Sequence, residues 1–260
     1  MLNLGCGTRT NPYWVNIDWS LKLRLSKLPL IGSYLNSPTD IQIYDLRKGI
    51  PFDDNTVDVV YSSHVLEHIE KNGAETFLKE MYRVLKPGGV IRIVVPDLEK
   101  AARKYIAALD KVSSSSSPSK KDQDSYHWAL IMLLDQQVRT VAGGEMVKWI
   151  ADNPESSVVS DFEGTFKDMA TEILNSRKTR LKNILVKKLK PSNPAKTGEL
   201  HRWMYDKYSL KSLLLETGFK DVNKLDHLSS NIEGFDIYNL DSNIDDTAHQ
   251  PDSIWMEGIK

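Results

Sequence analysis

Short apolar runs alternate with turns and helical patterns in the N-terminal part of the chain. The run from Val57 to Tyr61 is almost continuously apolar, as expected for a strand covered on both faces. Apolar residues then recur at helical spacing until Pro87-Gly88-Gly89, which predicts the end of a helix. Strand, connection and strand in repetition predict a parallel sheet with right-handed crossovers. The predicted strands are Met1–Leu4, Trp14–Asp18, Ile41–Asp45, Val57–Tyr61 and Val90–Val95.

The regular alternation stops after residue 97 and resumes near residue 201. Residues 98–200 contain helical patterns and no clear strand, and the serine-rich segment Ser113–Asp124 is predicted to be mobile. A helix over Tyr208–Thr217 and strands over Lys220–Leu228 and Ser253–Gly258 follow. We therefore predict one α/β domain, with a core in residues 1–97, a helical insertion in 98–200 that acts as a lid for an acceptor, and a completion of the core sheet in 201–260.

Composition narrows the possible classes of protein. The chain has 260 residues and a net charge of −1, which argues against a general nucleic-acid or membrane-surface binder. Its single cysteine excludes a disulfide framework within the chain and a cysteine-rich metal site, and no H-E-x-x-H motif is present. No apolar run reaches the length of a membrane helix, and the N-terminus is predicted to be a strand rather than a signal peptide. We expect a cytoplasmic protein without a metal.

The first predicted strand ends in Gly5-Cys6-Gly7. In open parallel sheets ligands bind at the carboxyl ends of the strands, and glycines there allow a ligand to approach bare backbone. The third glycine of a dinucleotide-binding G-x-G-x-x-G motif would fall on Thr10, so a pyrophosphate cradle is poorly supported. The turn alone is equally compatible with a purely structural role.

Two acids follow the next two strands. Asp18 ends the second strand, and a carboxylate there can accept hydrogen bonds from both hydroxyls of a ribose. Asp45 ends the third strand, where its carboxylate can accept from an exocyclic amine. One such acid would usually be no more than solvated. Two of them beside a glycine turn favour a nucleoside ligand.

Four motifs occur in this order and resemble those of class I S-adenosylmethionine-dependent methyltransferases: LNLGCG, NID, DLRKGIPFDDNTVDVVYSSHVLEHI and EMYRVLKPGGVIRIVVPD. The resemblance covers residues 1–97 and resumes at His201–Phe219, which is similar to a bacterial branch often linked to surface sugars and other secondary metabolites. It implies a Rossmann-like sheet of seven strands with the final strand antiparallel. It also implies S-adenosylmethionine as cofactor and S-adenosylhomocysteine as product.

The resemblance assigns cofactor contacts by position. The glycine turn would lie against the methionine part of the cofactor, Asp18 would bind the ribose, and the sulfonium end would lie beside the end of the fourth strand. The assigned residues are Asn3, Gly5, Cys6 and Gly7 in the turn, Asp18, Asp45 and Leu46 beside the nucleoside, and Ser63 and His64 beside the sulfonium. Only ten residues, including Pro12, separate Gly7 from Asp18, so the usual helix after the first strand must be very short or replaced by a loop.

Methyl transfer to a hydroxyl requires a base, and His64 and His201 are the candidates because an imidazole titrates near neutrality. For His64 a contact with the cofactor or a nearby loop is the simpler interpretation, and Glu67 and His68 fit structural roles better still. Cys6 is interpreted as a small filler of the turn. The candidate acceptor-binding residues are Arg202, Tyr205, Asp97 and Arg139.

The sequence thus predicts a methyltransferase whose acceptor is a small molecule or glycan, methylated on a hydroxyl oxygen, with no nucleic-acid partner and no stable membrane insertion. An N-methyltransferase, which needs no strong base, and a catalytically silent cofactor-binding module remain alternatives. The basic amphipathic segment Arg177–Lys190 is interpreted as a solvated helix over a packed stripe, with a membrane or phosphate contact as the other reading.

Overall fold

A computed structural model describes residues 1–26, 40–176, 194 and 198–260. The strands in these residues form a seven-stranded sheet with the order β3-β2-β1-β4-β5-β7-β6. Strands β1 to β5 are parallel, and β7 runs antiparallel to both of its neighbours. The predicted Rossmann-like sheet with an antiparallel final strand is confirmed. The strands are β1 (Leu2–Leu4), β2 (Val15–Asp18), β3 (Ile41–Ile43), β4 (Val57–Ser63), β5 (Leu85–Pro96), β6 (Lys220–Leu225) and β7 (Ser253–Ile259).

The described helices connect these strands or form a separate group. They are α1 (Leu21–Ser26), α2 (Lys71–Val84), α3 (Leu98–Ser113), α4 (Lys120–Val138), α5 (Gly144–Asp152), α6 (Ser157–Ser160), α7 (Gly164–Ser176) and α8 (Lys207–Thr217). Among the described residues, three 3₁₀ turns lie at Leu46–Lys48, Leu66–His68 and Phe235–Tyr238. Within the described parts of the chain, no helix has the length and apolar content needed to span a bilayer.

Helix α2 covers the sheet with one apolar face. Phe77, Leu78 and Met81 are buried at helical spacing and pack in the same cluster as Val60 and Ile91 of the sheet. Burying a large apolar side chain contributes about 1.5–3 kcal/mol. These contacts therefore fix β4 and β5, the strands from which the candidate site extends.

Strand β5 begins earlier than predicted. Val57 pairs with Leu85 and Val59 with Val90, so the Pro87-Gly88-Gly89 segment forms a bulge within the strand rather than a turn before it. The apolar pattern could not show this, because proline and glycine usually mark a turn, and Pro87 and Gly88 are exposed whereas only Gly89 is buried.

The chain divides into two compact units. The first comprises residues 1–96, 202–246 and 253–260 and contains the sheet. The second comprises residues 97–201 and 247–252, and its described elements are helices α3 to α7. This second unit has its own apolar cluster, centred on Met146, Ile150, Val159, Phe162 and Ala170.

The serine-rich segment predicted to be mobile is partly helical. Helix α3 extends to Ser113, and α4 begins at Lys120 with the Ser119 hydroxyl accepting from the Asp122 backbone N–H. The N-cap explains why helix resumes inside a low-complexity stretch. The predicted basic helix Arg177–Lys190 lies outside the described residues.

Candidate functional site

The carboxyl ends of four parallel strands meet at one edge of the sheet. Leu4 of β1 pairs with Ile17 of β2 on one side and with Ser62 of β4 on the other. Asp18 pairs with Ile43 of β3. The Gly5–Gly7 turn, the two strand-end acids and the segment that follows β4 therefore leave the sheet at the same edge, where α/β proteins bind ligands.

The two glycines of the turn differ in what surrounds them. Gly5 and Gly7 both have positive φ angles, +69° and +54°. A Cβ on Gly5 would stand 2.2 Å from Cγ2 of Val65, whereas a Cβ on Gly7 would meet no atom within 4 Å. Gly5 is thus required by packing inside the protein. Gly7 leaves the open space into which a ligand can approach the backbone.

Asp18 ties the glycine turn to the second strand. Its Oδ2 accepts from the Gly7 backbone N–H at 2.9 Å, and its Oδ1 accepts from the Ser20 backbone N–H at 2.6 Å. A carboxylate has about four acceptor positions, so two remain for a ribose diol. Asp18 therefore stabilises the glycine turn and the start of the next segment, in addition to its predicted contact with the cofactor.

Asp45 already has a partner. Its two oxygens accept from Nε and Nη2 of Arg47, each at 2.8 Å, and Oδ1 also accepts from the Arg47 backbone N–H. These hydrogen bonds lower the pKa of Asp45, while burial opposes the shift. The next residue, Leu46, packs against the main core cluster. An adenine amine would have to share Asp45 with the guanidinium of Arg47.

A loop, rather than a helix, follows the glycine turn, as the short spacing predicted. The Asn3 side chain donates to the backbone oxygen of Arg9 at 2.8 Å and to Oδ1 of Asn16 at 3.0 Å. Asn16 in turn donates to the backbone oxygen of Asn11. Asn3 is buried and holds this loop, so its amide is engaged in structure at the place where the resemblance implies a cofactor contact.

Cys6 is buried against Leu23 and Ile41. Burial raises the pKa of its thiol to about 12, and the charges of Asp18 and Asp40 add to the shift. A thiol in that state is a poor nucleophile at neutral pH. Its surroundings fit the predicted role of a small apolar filler.

His64 follows β4 in a conformation that L-residues rarely adopt, with φ +53°. Its backbone N–H donates to the Val94 oxygen at 2.9 Å, which extends the pairing of β4 with β5 past Ser63. The ring has a neighbour at each nitrogen: Nε2 lies 2.9 Å from Oγ of Ser253, and Nδ1 lies 3.2 Å from Oε1 of Glu67. The imidazole is thus held between a hydroxyl and a carboxylate.

Arg202 and Tyr205 belong to the same unit as His64. The Arg202 backbone N–H donates to the backbone oxygen of Glu67 at 2.6 Å, and its side chain is exposed. Tyr205 is buried in the main core cluster, and its hydroxyl has no hydrogen-bond partner among the described residues. Burial, with a contribution from the charge of Glu67, raises the pKa of Tyr205 to about 12.

Asp97, Arg139 and His201 lie in the helical unit. The Asp97 side chain caps α3 by accepting from the Lys100 backbone N–H. Arg139 is buried, 2.6 Å from Oδ2 of Asp135 and 3.6 Å from Oε2 of Glu199. The His201 ring lies 2.9 Å from the Gln136 amide nitrogen. All three therefore have structural partners of their own.

Three residues near the candidate site were not singled out from the sequence as functional. Glu67 and Ser253 flank His64, and Val65 occupies the space above Gly5. Ser253 comes from the last strand and pairs with Pro96 at the end of β5. No local motif predicts that encounter, because 189 positions separate Ser253 from His64. For Glu67 the sequence carried one signal, its position three residues after His64, whereas its complete burial is visible only in the structure.

Comparisons with known proteins give a family match over part of the chain. Residues 2–93 match the family model described as a methyltransferase domain, a range that includes the glycine turn, both strand-end acids and His64. A comparison with curated protein sequences gave no match.

Solved structures give remote matches. A SAM-dependent methyltransferase from Archaeoglobus fulgidus is 13% identical, with 100% of this chain and 85% of that chain covered and a TM-score of 0.41. An S-adenosylmethionine-dependent methyltransferase from Mesorhizobium loti is 11% identical, with 100% and 89% covered and a TM-score of 0.41. A possible histamine N-methyltransferase from Thermotoga maritima is 12% identical, with 100% and 81% covered and a TM-score of 0.40.

Proposed function

We propose that the protein is an S-adenosylmethionine-dependent methyltransferase that methylates a hydroxyl oxygen of a small molecule or glycan. The observation that carries the proposal is the open space above Gly7 beside a strand-end carboxylate, Asp18, within a segment that matches a methyltransferase domain. In this proposal the bare backbone of the turn, the carboxylate of Asp18 and the end of β4 line one ligand. The spacing of the glycines does not favour a dinucleotide as that ligand.

The residues present fit this cofactor. The Gly7 backbone leaves room for the amino-acid part, and Asp18 keeps acceptor positions for the ribose hydroxyls. When bound, S-adenosylmethionine supplies an electrophilic methyl group. The chain itself must then bind the acceptor, align its oxygen with that methyl group and take up the hydroxyl proton.

His64 is the proposed base of this reaction. It stands at the carboxyl end of β4, and its ring lies between a hydroxyl and a carboxylate. The acceptor oxygen would take the methyl group that the bound cofactor supplies, and the chain must then accept the proton that this oxygen loses. The acceptor proton passes to the imidazole, and general-base assistance of this kind contributes about 10²–10⁴-fold in rate.

The proposed methyl acceptor is a polar molecule. The exposed Arg202 side chain can pair with an anionic or glycosidic group, whereas an amine acceptor would need neither a guanidinium nor a base. His201, Tyr205, Asp97 and Arg139 remain candidates for acceptor contact, although each is buried or already engaged in structure.

The test is the release of S-adenosylhomocysteine when the protein and S-adenosylmethionine are offered matched panels of hydroxyl and amine acceptors. We expect turnover with a hydroxyl panel, lost by at least about 10²-fold in His64→Ala. His201→Ala separates the two histidine candidates in the same assay. Turnover confined to amines and indifferent to both substitutions would contradict the hydroxyl proposal. Asp18→Ala, which should lose the cofactor, sets the background rate.

A further inference from the structure

We propose that Glu67 is a positioning residue for His64: its carboxylate holds the proton of the imidazole on Nδ1 and so keeps Nε2 bare as the proton acceptor. This inference rests on the proposed function, because it supplies the base that a hydroxyl acceptor needs. It concerns the ring nitrogens of one residue and therefore has a readout that does not depend on turnover.

The first support is geometric. Oε1 of Glu67 lies 3.2 Å from Nδ1 of His64, while Nε2 faces Oγ of Ser253 at 2.9 Å. A neutral imidazole carries one proton, so one nitrogen donates and the other accepts. An ionised carboxylate can only accept. With the proton on Nδ1, the nitrogen 3.2 Å from Glu67, the Nε2 lone pair is left for a hydroxyl, and Ser253 is the hydroxyl that this structure has there.

The second support is the burial of Glu67. It has no exposed surface, and a buried carboxylate is costly unless nearby groups compensate its charge. Two imidazoles approach Oε1, that of His64 at 3.2 Å and that of His68 at 3.9 Å. During proton transfer His64 becomes an imidazolium, and the carboxylate then faces a full positive charge across the shortest of these distances.

The third support is that the surrounding backbone fixes both partners. The Glu67 backbone oxygen accepts from the N–H groups of Arg202 and Trp203, at 2.6 and 3.2 Å. His64 is held at φ +53° by the hydrogen bond of its N–H to Val94. A residue kept in the left-handed region by its neighbours is a frequent feature of functional sites, since the strain is offset elsewhere in the fold.

The experiment is nitrogen-15 NMR of the histidine rings in the full chain, at a pH at which His64 is neutral. Long-range proton–nitrogen correlations distinguish the protonated ring nitrogen from the bare one, and His64→Gln identifies the signals among the six histidines. We expect wild-type His64 to be protonated on Nδ1. Protonation on Nε2 in the wild-type protein overturns the inference without any variant having to fold.

Substitutions then assign the cause. Glu67→Gln can donate its amide to Nδ1, so we expect the His64 proton to move to Nε2 or to divide between the two nitrogens. Ser253→Ala and His68→Ala are the matched controls and should leave Nδ1 protonated. An unchanged tautomer in Glu67→Gln, or a change in Ser253→Ala alone, would assign the role to another residue and contradict the proposal.

Two further measurements separate this inference from the proposed function. Calorimetric titration of the same variants with S-adenosylhomocysteine tests the cofactor: absent binding refutes the proposed function and leaves the tautomer result standing. Once an acceptor is found, Glu67→Gln should lower kcat by about 10²-fold or more with little change in KM. A rise in KM alone would show that Glu67 serves binding and not the base.

Discussion

Alanine substitutions at Gly5 and Gly7 should have different consequences, although both glycines lie in the same turn. Both have φ angles in the left-handed region, +69° and +54°, where an L-residue costs about 1–2 kcal/mol. For Gly7→Ala this is the whole expected loss in the free energy of unfolding, because the added methyl group meets nothing within 4 Å.

Gly5→Ala carries an additional cost. Its methyl group would stand 2.2 Å from Cγ2 of Val65, so either the side chain or the turn must shift. Overpacking of this kind typically costs about 1–3 kcal/mol. The expected total loss in the free energy of unfolding is therefore about 2–5 kcal/mol. In the Gly5→Ala/Val65→Ala double variant, the shorter side chain at position 65 should remove the part of this loss that overpacking causes.

Denaturant unfolding of the wild-type protein, both single glycine variants, Val65→Ala and the Gly5→Ala/Val65→Ala double variant measures these differences. Titration of the folded variants with S-adenosylhomocysteine measures the effect of each substitution on cofactor affinity. Gly7→Ala should lose at least about tenfold in affinity, or 1.4 kcal/mol, because its methyl group enters the space left for the ligand. Equal destabilisation by the two substitutions, or no coupling between Gly5 and Val65, would refute the reasoning.

Three further outcomes follow from buried groups. Arg139→Ala should lower the free energy of unfolding by about 3–5 kcal/mol in chemical denaturation, because the buried Asp135 carboxylate loses its cationic partner and keeps the Glu145 backbone N–H as a donor; an unchanged stability would mean that the ion pair is dispensable. Tyr205→Phe should leave that free energy unchanged or slightly raised, since the lost hydroxyl has no partner among the described residues, and a loss above about 1 kcal/mol would show an undetected hydrogen bond. Cys6, whose pKa is raised from 9.0 to about 12, should react with a thiol reagent about 10³-fold more slowly in the native than in the unfolded protein, and similar rates would contradict its burial.

The sheet was predictable because its signals are local. Each of these signals depends on residues that are adjacent in the sequence. They are the apolar run that contains Val59 and Val60, the glycine turn after β1, and Gly218, which ends α8 at φ +113°. The sequence indicates the edge of the sheet at which a ligand binds for the same reason. Strand-end residues of parallel strands must meet there, whatever the connections between them.

The contacts around the candidate site were less predictable because they join distant parts of the chain. Arg92 shows this most clearly: it lies fully buried in β5, and its guanidinium donates to Asp241 and Glu257, each at 2.6 Å. An arginine inside an apolar run gives no sign of which carboxylates will reach it. Ser253 beside His64 is a second case, since its position depends on the antiparallel register of β7.

The most direct test of the account is calorimetric titration of the purified protein with S-adenosylmethionine and S-adenosylhomocysteine, with NAD as the control. The account predicts micromolar binding of the first two, about −8 kcal/mol, and no binding of NAD, because the turn lacks the third glycine of a pyrophosphate cradle. Binding of NAD alone, or of none of the three, would contradict the central claim that the open space above Gly7 is the site of a methyl-donating cofactor.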